Sequence, residues 1–228
     1  MFGSPSFTDR ADAGRRLAEA IARNAPEAPV VLALPRGGVP VAFEIASALA
    51  APLDLLLVRK IGAPGYPEFA VGAVVDGDDP QTIINEDAMA HSGASRGYVE
   101  QEAARQLQEI ERRRELYFGN RKPIALKDRN VIVVDDGIAT GSTVRAGLKS
   151  LRRVGVKSIL LAVPVAPNDV ICALASEVDK VICLKRPEDF RAVSLHYRTF
   201  GQTPDSEVVG LLLHAAAILR ERTRPDGN

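Results

Sequence analysis

The chain has 228 residues, of which 46% are hydrophobic and 25% charged, and this is enough apolar surface for a folded core. Its 29 basic and 29 acidic residues balance, so net charge does not favour nucleic acid or an acidic membrane surface as a partner. Two cysteines are too few for a disulfide framework, and charge or proline interrupts every apolar run before it reaches the length of a membrane span. Because the N-terminus lacks a signal-peptide pattern, we expect a cytoplasmic protein with one α/β domain and an appendage, or two small domains.

Short apolar runs alternate with amphipathic stretches in the first part of the chain. A segment dense in Gly and Pro indicates a loop, and an acidic turn between two short apolar runs indicates a hairpin. The predicted elements are a helix over 9–24, a strand over 30–34, a helix over 39–50, a strand over 53–58 ending on Arg59 and Lys60, a loop over 62–67, and paired strands over 71–75 and 81–85.

The second part begins with a long polar helical stretch over 86–118, in which Gly93 and Gly97 predict an early break. The elements predicted after it are strands over 130–134, 158–163 and 180–184, helices over 142–154, 167–176 and 206–222, and a turn-rich segment over 185–205. This alternation predicts an α/β fold with a mostly parallel central sheet flanked by helices.

A small-residue turn follows the strand over 131–134 and opens the next helix. The carboxyl ends of strands in open α/β sheets are where ligands bind. The turn at 140–143, which we name the phosphate cup, combines hydroxyl side chains with the unpaired N–H groups and positive dipole of a helix N-terminus. This pattern indicates a phosphate-binding site.

Two acids, Asp135 and Asp136, stand between the strand and the phosphate cup. Carboxylates repel a phosphate at close range, whereas they accept hydrogen bonds from sugar hydroxyls and coordinate hard divalent cations. The combination therefore suggests a sugar phosphate. The turn has no Lys and no G-x-G-x-x-G pattern, which argues against a nucleoside-triphosphate P-loop and a dinucleotide site. The alternative to a ligand site is a structural turn, in which the Asp residues only cap and solvate the turn.

In this segment the sequence resembles the phosphoribosyl pyrophosphate (PRPP) motif of type I phosphoribosyltransferases: an apolar strand, two acids, a short spacer and Thr-Gly-Ser-Thr. The resemblance extends over roughly 30–184 and is strongest over 131–143. It implies an α/β core over 1–184 with a hairpin and helical insertion near 71–120. A small hood and a C-terminal helix then occupy 185–228.

The resemblance also implies a reaction, in which the phosphoribosyl group of PRPP passes to a nitrogen acceptor such as a nucleobase, pyrophosphate leaves and magnesium is required. The phosphate cup would hold the 5′-phosphate, and Asp135 and Asp136 the ribose hydroxyls, directly or with the metal ion. Asp135, Asp136, Arg36 and Lys60 are the candidate catalytic residues. The full PRPP-binding set is Arg36, Gly37, Gly38, Arg59, Lys60, Asp135, Asp136, Gly137, Ala139, Thr140, Gly141, Ser142 and Thr143.

Two further segments suit the pyrophosphate. Arg36 and the glycines after it form a second strand-to-helix turn, where the family holds the pyrophosphate, although a plain tight turn is the alternative. Arg59 and Lys60 would steady the leaving group at the end of the next strand, or be an ordinary solvated charge pair. Residues 61–70 take the place of the family's flexible loop, and their sequence leaves open whether they close over the site.

The turn-rich segment over 185–205 occupies the position of the hood that meets the acceptor in this family. Phe190, Tyr197 and Phe200 would stack on an acceptor ring, or pack the hood's own small core. His196 receives no role. Purine, pyrimidine and other nitrogen acceptors all stay open, and the family suggests a homodimer.

Two other functions compete with phosphoribosyl transfer. A PRPP-sensing or nucleotide-sensing regulator would keep the pocket with little catalysis, but the neutral charge and the lack of a nucleic-acid module count against binding to RNA or DNA. Hydrolysis or transfer on a different sugar phosphate would show as activity without any base.

Overall fold

The computed structural model describes residues 6–77, 80–119 and 121–223, and it has a five-stranded sheet in the order β2-β1-β6-β7-β8 with every neighbouring pair parallel. The strands are β1 Val30–Ala33, β2 Leu53–Leu55, β3 Val58–Ala63, β4 Tyr66–Val75, β5 Gln81–Ile84, β6 Asn130–Val134, β7 Ser158–Val165 and β8 Lys180–Lys185. The helices are α1 Arg10–Ala22, α2 Gly38–Leu49, α3 Glu86–Ser92, α4 Arg96–Phe118, α5 Ser142–Val154, α6 Asn168–Ala175 and α7 Asp205–Thr223. The predicted α/β fold with a central parallel sheet is confirmed.

The central sheet is buried on both faces because its strands are apolar at successive positions. Val31 and Ala33 of β1 join a core with residues of α1 and α2, whereas Val30 and Leu32 join a second core with residues of α5 and α6. This alternation follows the two-residue period of a strand. All four side chains are at most 1% exposed, so the centre of the sheet is shielded from solvent.

A second, antiparallel sheet in the order β3-β4-β5 packs between α5 and α4. The predicted pairing of the strands near 71–75 and 81–85 is confirmed, although residues 78–79 of the acidic turn lie outside the described part. The predicted strand over 53–58 is wrong as one element, because β2 ends at Leu55 and the chain enters the second sheet at Val58. The predicted loop over 62–67 is also wrong, since β3 and β4 form a hairpin across it.

The predicted break in the long polar helix is confirmed at Gly93. This residue ends α3 in the left-handed conformation at φ 69°, which glycine adopts without strain. Ser95 then caps α4 by accepting a hydrogen bond from the Tyr98 amide at 3.2 Å. In the described part of the chain, every helix is too short or too polar to cross a membrane.

The hood, residues 185–205, is completed by the beginning of the chain. The Phe7 amide donates to the His196 carbonyl at 3.0 Å, and the Phe7 carbonyl accepts from the Arg198 amide at 2.8 Å. Phe7 and Tyr197 are both buried, and their ring centroids lie 5.4 Å apart. The hood therefore shares a small core with the beginning of the described chain.

Candidate active site

The loops that follow β1 and β6 lie side by side because these two strands are neighbours in the parallel sheet. A Cβ atom added to Gly37 would lie 2.0 Å from Asp136 Oδ2, and one added to Gly38 would lie 2.8 Å from the Val134 carbonyl oxygen. Only residues without side chains allow this approach. The structure thus brings the Arg36-Gly37-Gly38 turn and the acidic pair together, as the sequence predicts.

The phosphate cup lies at the N-terminus of α5. Gly141 is the N-cap residue at φ 75°, and it supplies no side-chain acceptor for the amides of the first helical turn. Thr140 and Ser142 are exposed, and their hydroxyl oxygens are 3.4 Å apart. Ala139 is exposed and Thr143 is half-buried. The cup therefore offers open backbone donors and hydroxyl groups at the positive end of a helix, which suits a dianionic phosphate.

The two acids differ in their surroundings. The Asp136 amide donates to Asp135 Oδ1 at 2.8 Å. Burial raises the pKa of Asp135 well above its usual range, and the neighbouring Asp136 charge adds to the rise. Asp136 Oδ2 accepts a hydrogen bond from Arg10 Nε at 2.7 Å, and the Asp136 carbonyl oxygen accepts one from the Tyr197 hydroxyl.

Arg36, which follows Pro35 through a cis peptide bond, lies toward α7 and the end of α4. Its guanidinium is 3.7 Å from Asp205 Oδ1. The Tyr117 hydroxyl donates to the same carboxylate oxygen at 2.6 Å, and burial together with this bond raises the pKa of Tyr117 to about 12. Arg36 is therefore held by a single long ion pair on a partly exposed carboxylate, which an anionic ligand could replace.

Arg59 and Lys60 do not end a strand at the edge of the central sheet, contrary to the prediction. They are consecutive residues within β3, so their side chains point to opposite faces of the second sheet. Arg59 Nε donates to Gln106 on α4 at 2.9 Å. Lys60 lines a cavity of about 370 Å³ beside the first residue of α5, Ser142. The structure therefore places Lys60, rather than Arg59, next to the phosphate cup.

Two more cations lie along that cavity, at successive turns of α5. Arg145 and Lys149 follow Ser142 at helical spacing and form one wall, and the strands β4 and β5 form the other. Arg145 is engaged by Glu177 at 2.6 Å. Lys60 and Lys149 therefore bring positive charge to the cavity that Ser142 lines, and Glu86 brings one negative charge.

The hood aromatics are largely packed against one another and against the chain's beginning. Tyr197 is 4% exposed, so its ring contributes to the hood's small core. Phe200 lies beneath the Arg10 guanidinium, 4.0 Å from the ring centroid, and Phe190 stacks on His196 at 5.7 Å. Burial lowers the pKa of His196. For Tyr197 this arrangement favours the alternative of packing within the hood over contact with an acceptor.

Sequence reasoning gave no role to Arg10 and did not predict that Asp205 contacts Arg36, yet these two residues hold Asp136 and Arg36 respectively. Neither belongs to a motif, and each lies far along the chain from its partner. The available signals were weak: Arg10 lies in the first turn of the first predicted helix, and Asp205 immediately precedes the last one. Helix ends are frequent positions for residues that contact a neighbouring loop.

The carboxylates of the site suit magnesium if the substrate supplies the remaining ligands. Within the residues the structure describes, no three His, Cys, Asp or Glu side chains converge as a cage. Mg²⁺ commonly takes one or two carboxylates together with substrate phosphates and water. Asp135 and Asp136 beside the phosphate cup fit that mode, in which the substrate completes the coordination.

Comparisons with known proteins decide the family. The model of the phosphoribosyl transferase domain matches residues 6–197. The chain belongs to the phosphoribosyl transferase family. Two Mycobacterium tuberculosis proteins of strains CDC 1551 and H37Rv, provisionally named phosphoribosyl transferases, are each 45% identical to it over 206 residues. These matches cover 90% of this chain and 46% of each relative, so the chain spans about half the length of the curated relatives it matches.

A solved structure agrees with the phosphoribosyl transferase fold seen here. The crystal structure of the protein TT1426 from Thermus thermophilus superposes with a TM-score of 0.81 at 44% sequence identity. The match covers 91% of this chain and 98% of that chain. The resemblance found in the PRPP motif is therefore confirmed at the level of the family and the fold.

Proposed function

We propose that this family member transfers the phosphoribosyl group of PRPP to a nitrogen acceptor, with release of pyrophosphate. The observation that carries the proposal is the approach of Gly37 to Asp136, because it joins a candidate pyrophosphate loop, a pair of acids and the phosphate cup in one site. A phosphate cup alone would suit many phosphorylated ligands. Acids placed between two anion-binding turns suit a sugar that carries a phosphate at each end.

The phosphate cup binds the 5′-phosphate in this proposal. The amides around Ser142 and Thr143 and the hydroxyl groups of the cup supply the donors, and the α5 dipole favours the negative charge. Gly137 and Ala139 keep the approach to the cup free of bulk. Anchoring this end fixes the anomeric carbon relative to the acids, and such positioning is a large part of catalysis in transfer reactions.

Asp135 and Asp136 receive the ribose hydroxyls in this proposal. When bound, Mg²⁺ would neutralise pyrophosphate charge, and these two carboxylates together with PRPP oxygens would be its ligands. The ring becomes positively charged as pyrophosphate leaves, so an ionised carboxylate below it stabilises the transition state. Asp136, which faces Arg10, suits that role better than Asp135, whose pKa is raised well above its usual range.

The turn at 36–38 holds the departing pyrophosphate. Gly37 and Gly38 allow its backbone to approach, and Arg36 exchanges its 3.7 Å contact with Asp205 for the phosphate. Lys60 supplies positive charge from the other side of the cup, while Arg59 contributes only through the local potential. Residues 61–70 take the place of the family's flexible loop, and the sequence leaves open whether they close over the site.

The acceptor contacts stay predictions as well. Phe190 and Phe200 are only partly buried in the hood, and each keeps surface for a flat ring beside the site. Tyr197 acts from behind them by supporting the hood. The homodimer, the cytoplasmic location and the choice among nitrogen acceptors also remain predictions.

The test is pyrophosphate release from PRPP and Mg²⁺ over a panel of purine and pyrimidine bases, combined with calorimetric titration of PRPP. Phosphoribosyl transfer predicts tight PRPP binding and release that depends on one class of base. Asp136→Asn should weaken PRPP binding and lower the base-dependent release of pyrophosphate. Asp128→Asn is the matched control, because Asp128 is exposed at the opposite end of β6 with φ 59°, a conformation that asparagine tolerates.

The competing functions give different results in the same assay. A sensing regulator would bind PRPP without base-dependent release, and a hydrolase would release pyrophosphate without any base. Absence of PRPP binding by the wild-type protein in the presence of Mg²⁺ would overturn the proposal.

A further inference from the structure

Arg10, the first residue of α1, extends its side chain into the space between the acidic pair and the hood. Its Nε donates to Asp136 Oδ2 at 2.7 Å, and its Nη1 donates to the Gly201 carbonyl oxygen at 2.7 Å. Its guanidinium also lies over the Phe200 ring at 4.0 Å. One planar group thus contacts the candidate site and two positions of the hood at the same time.

The other arginines of α1 are placed very differently. Arg15 and Arg16 pair with carboxylates at the surface, and their side chains are 57% and 49% exposed. The Arg10 side chain is 13% exposed and its partner Asp136 is 14% exposed. Surface pairs contribute little to stability, whereas a charge-assisted hydrogen bond between two largely buried side chains is stronger. Arg10 is therefore the arginine of this helix that contacts the acidic pair.

The carboxylate that Arg10 contacts has little freedom to move. Its Oδ2 lies where a Gly37 side chain would otherwise be, and the backbone carbonyl of Asp136 is held by Tyr197. Without the guanidinium, Asp136 Oδ2 would lose its donor.

We infer that Arg10 is a positioning residue, which holds the Asp136 carboxylate against the Gly37 turn and ties it to the hood through Gly201 and Phe200. The inference rests on the proposed binding of PRPP. It predicts that the orientation of the sugar-binding acid and the order of the hood are coupled, although Arg10 and Gly201 are 191 positions apart. Arg10 acts through Asp136 and does not itself meet the substrate.

Calorimetric titration of PRPP with Mg²⁺ tests this role on three variants. Arg10→Gln should weaken PRPP binding by roughly tenfold or more, because a hydrogen bond to a charged group is lost at the site. Arg10→Lys should recover only part of the loss, since a single ammonium group does not bridge Asp136 and Gly201 in a planar fork. Arg15→Gln, on the same helix, should bind as the wild type.

A double-mutant cycle separates positioning from a general structural effect. If Arg10 acts through Asp136, combining Arg10→Gln with Asp136→Asn should weaken binding no more than the larger single substitution does. Additive losses, or wild-type affinity in folded Arg10→Gln, would overturn the inference. Should Arg10→Gln fail to fold, Arg10→Lys decides the matter by the same criterion of weakened binding.

Hydrogen–deuterium exchange supplies a readout that needs no ligand. Arg10→Gln should speed exchange at both 135–143 and 197–201, while Arg15→Gln should leave both segments unchanged. If exchange rises in only one segment, or in neither, the proposed coupling is wrong. Failure of the wild type to bind PRPP would instead reject the proposed function, and the exchange result would then decide the role of Arg10.

Discussion

The phosphate cup and the hood both contact the loop that carries Asp136, but they are assembled in opposite ways. The cup and both acids come from one uninterrupted segment between β6 and α5. The hood reaches Asp136 through Tyr197, from late in the chain, and through Arg10, from its beginning. A contiguous segment can keep its chemistry whenever its strand and helix form. The hood keeps its contacts only when residues 185–205 pack against the beginning of the described chain.

The difference predicts how each region responds to substitution. Changes at the cup and the turn beside it should abolish ligand binding with little loss of stability, because rigid neighbouring strands support both. Changes in the hood should lower stability and affect binding only indirectly. Three substitutions test this contrast, and a fourth lies outside both regions as a reference; they follow from the largest expected effect to the smallest.

Gly37→Ala should have the largest effect on binding. Its φ of −61° suits alanine, yet the new methyl group would lie 2.0 Å from Asp136 Oδ2 and displace that carboxylate. A displacement of this size can cost about 100-fold in a positioned reaction, so we expect a loss of PRPP affinity of that order. Calorimetric titration measures it. Gly97→Ala is the matched control, since its methyl group would meet no atom within 4 Å; equal binding by Gly37→Ala and Gly97→Ala would contradict the account.

Gly137→Ala affects the place where the cup loop meets the hood. Its methyl group would lie 2.5 Å from a methyl group of Val193, a hood residue, and one of the two must shift. Overpacking of this kind costs about 1–3 kcal/mol, so thermal unfolding should begin several degrees lower. PRPP affinity should fall less than in Gly37→Ala. Gly210→Ala on α7, where the methyl group meets nothing within 4 Å, should show neither effect. A larger binding loss in Gly137→Ala than in Gly37→Ala would reverse the proposed contrast.

Tyr197→Phe removes only the hydroxyl that donates to the Asp136 carbonyl oxygen. The ring stays in the hood core, so the expected loss is about 1 kcal/mol of unfolding free energy. Denaturant titration should detect this loss, while PRPP affinity should change little. Tyr66→Phe, at a side chain that is 74% exposed, controls for the loss of a hydroxyl. Unchanged stability in Tyr197→Phe would mean that this bond does not anchor the hood.

Glu109→Gln, on α4 and remote from both regions, should have the smallest effect. Hydrogen bonds from Arg112 and Arg113 lower the pKa of Glu109 to about 2 from 4.5. A depressed carboxyl pKa stabilises the folded state above pH 4.5, and the contribution disappears as the pH falls toward 2. At pH 7 an exposed cluster of this kind contributes about 0.5 kcal/mol. Denaturant titrations at pH 7 and pH 3 should show that the variant and the wild type differ less in free energy of unfolding at the lower pH. A larger difference at pH 3 would contradict the predicted direction of the pH dependence.

Where one local pattern dominates, the sequence was sufficient to predict the structure. The boundaries predicted for the strand over 130–134 and the helix over 142–154 agree with β6 and α5, because apolar residues, acids and hydroxyls follow one another in a fixed order there. The family follows from the same segment. The approach of the Arg36-Gly37-Gly38 turn was also predictable, since parallel neighbours end at one sheet edge.

The errors arose where a local pattern fits two arrangements. The apolar run over 53–58 does not show that the chain leaves one sheet after Leu55 and enters another at Val58. Gly65 and Pro67 indicate a loop, yet Gly65 forms a tight turn at φ 73°, and Pro67 stands at the start of β4, beyond the residues that pair with β5. Arg10 and Asp205 could not be assigned because their partners become neighbours only in the folded chain.

The most direct test of the central claim is a crystal structure of the protein with PRPP and Mg²⁺. The account predicts that the 5′-phosphate lies in the phosphate cup at 140–143, the ribose hydroxyls face Asp135 and Asp136, and the pyrophosphate lies against the turn at 36–38. An empty cup, with PRPP bound elsewhere or with both acids turned away from the sugar, would contradict it.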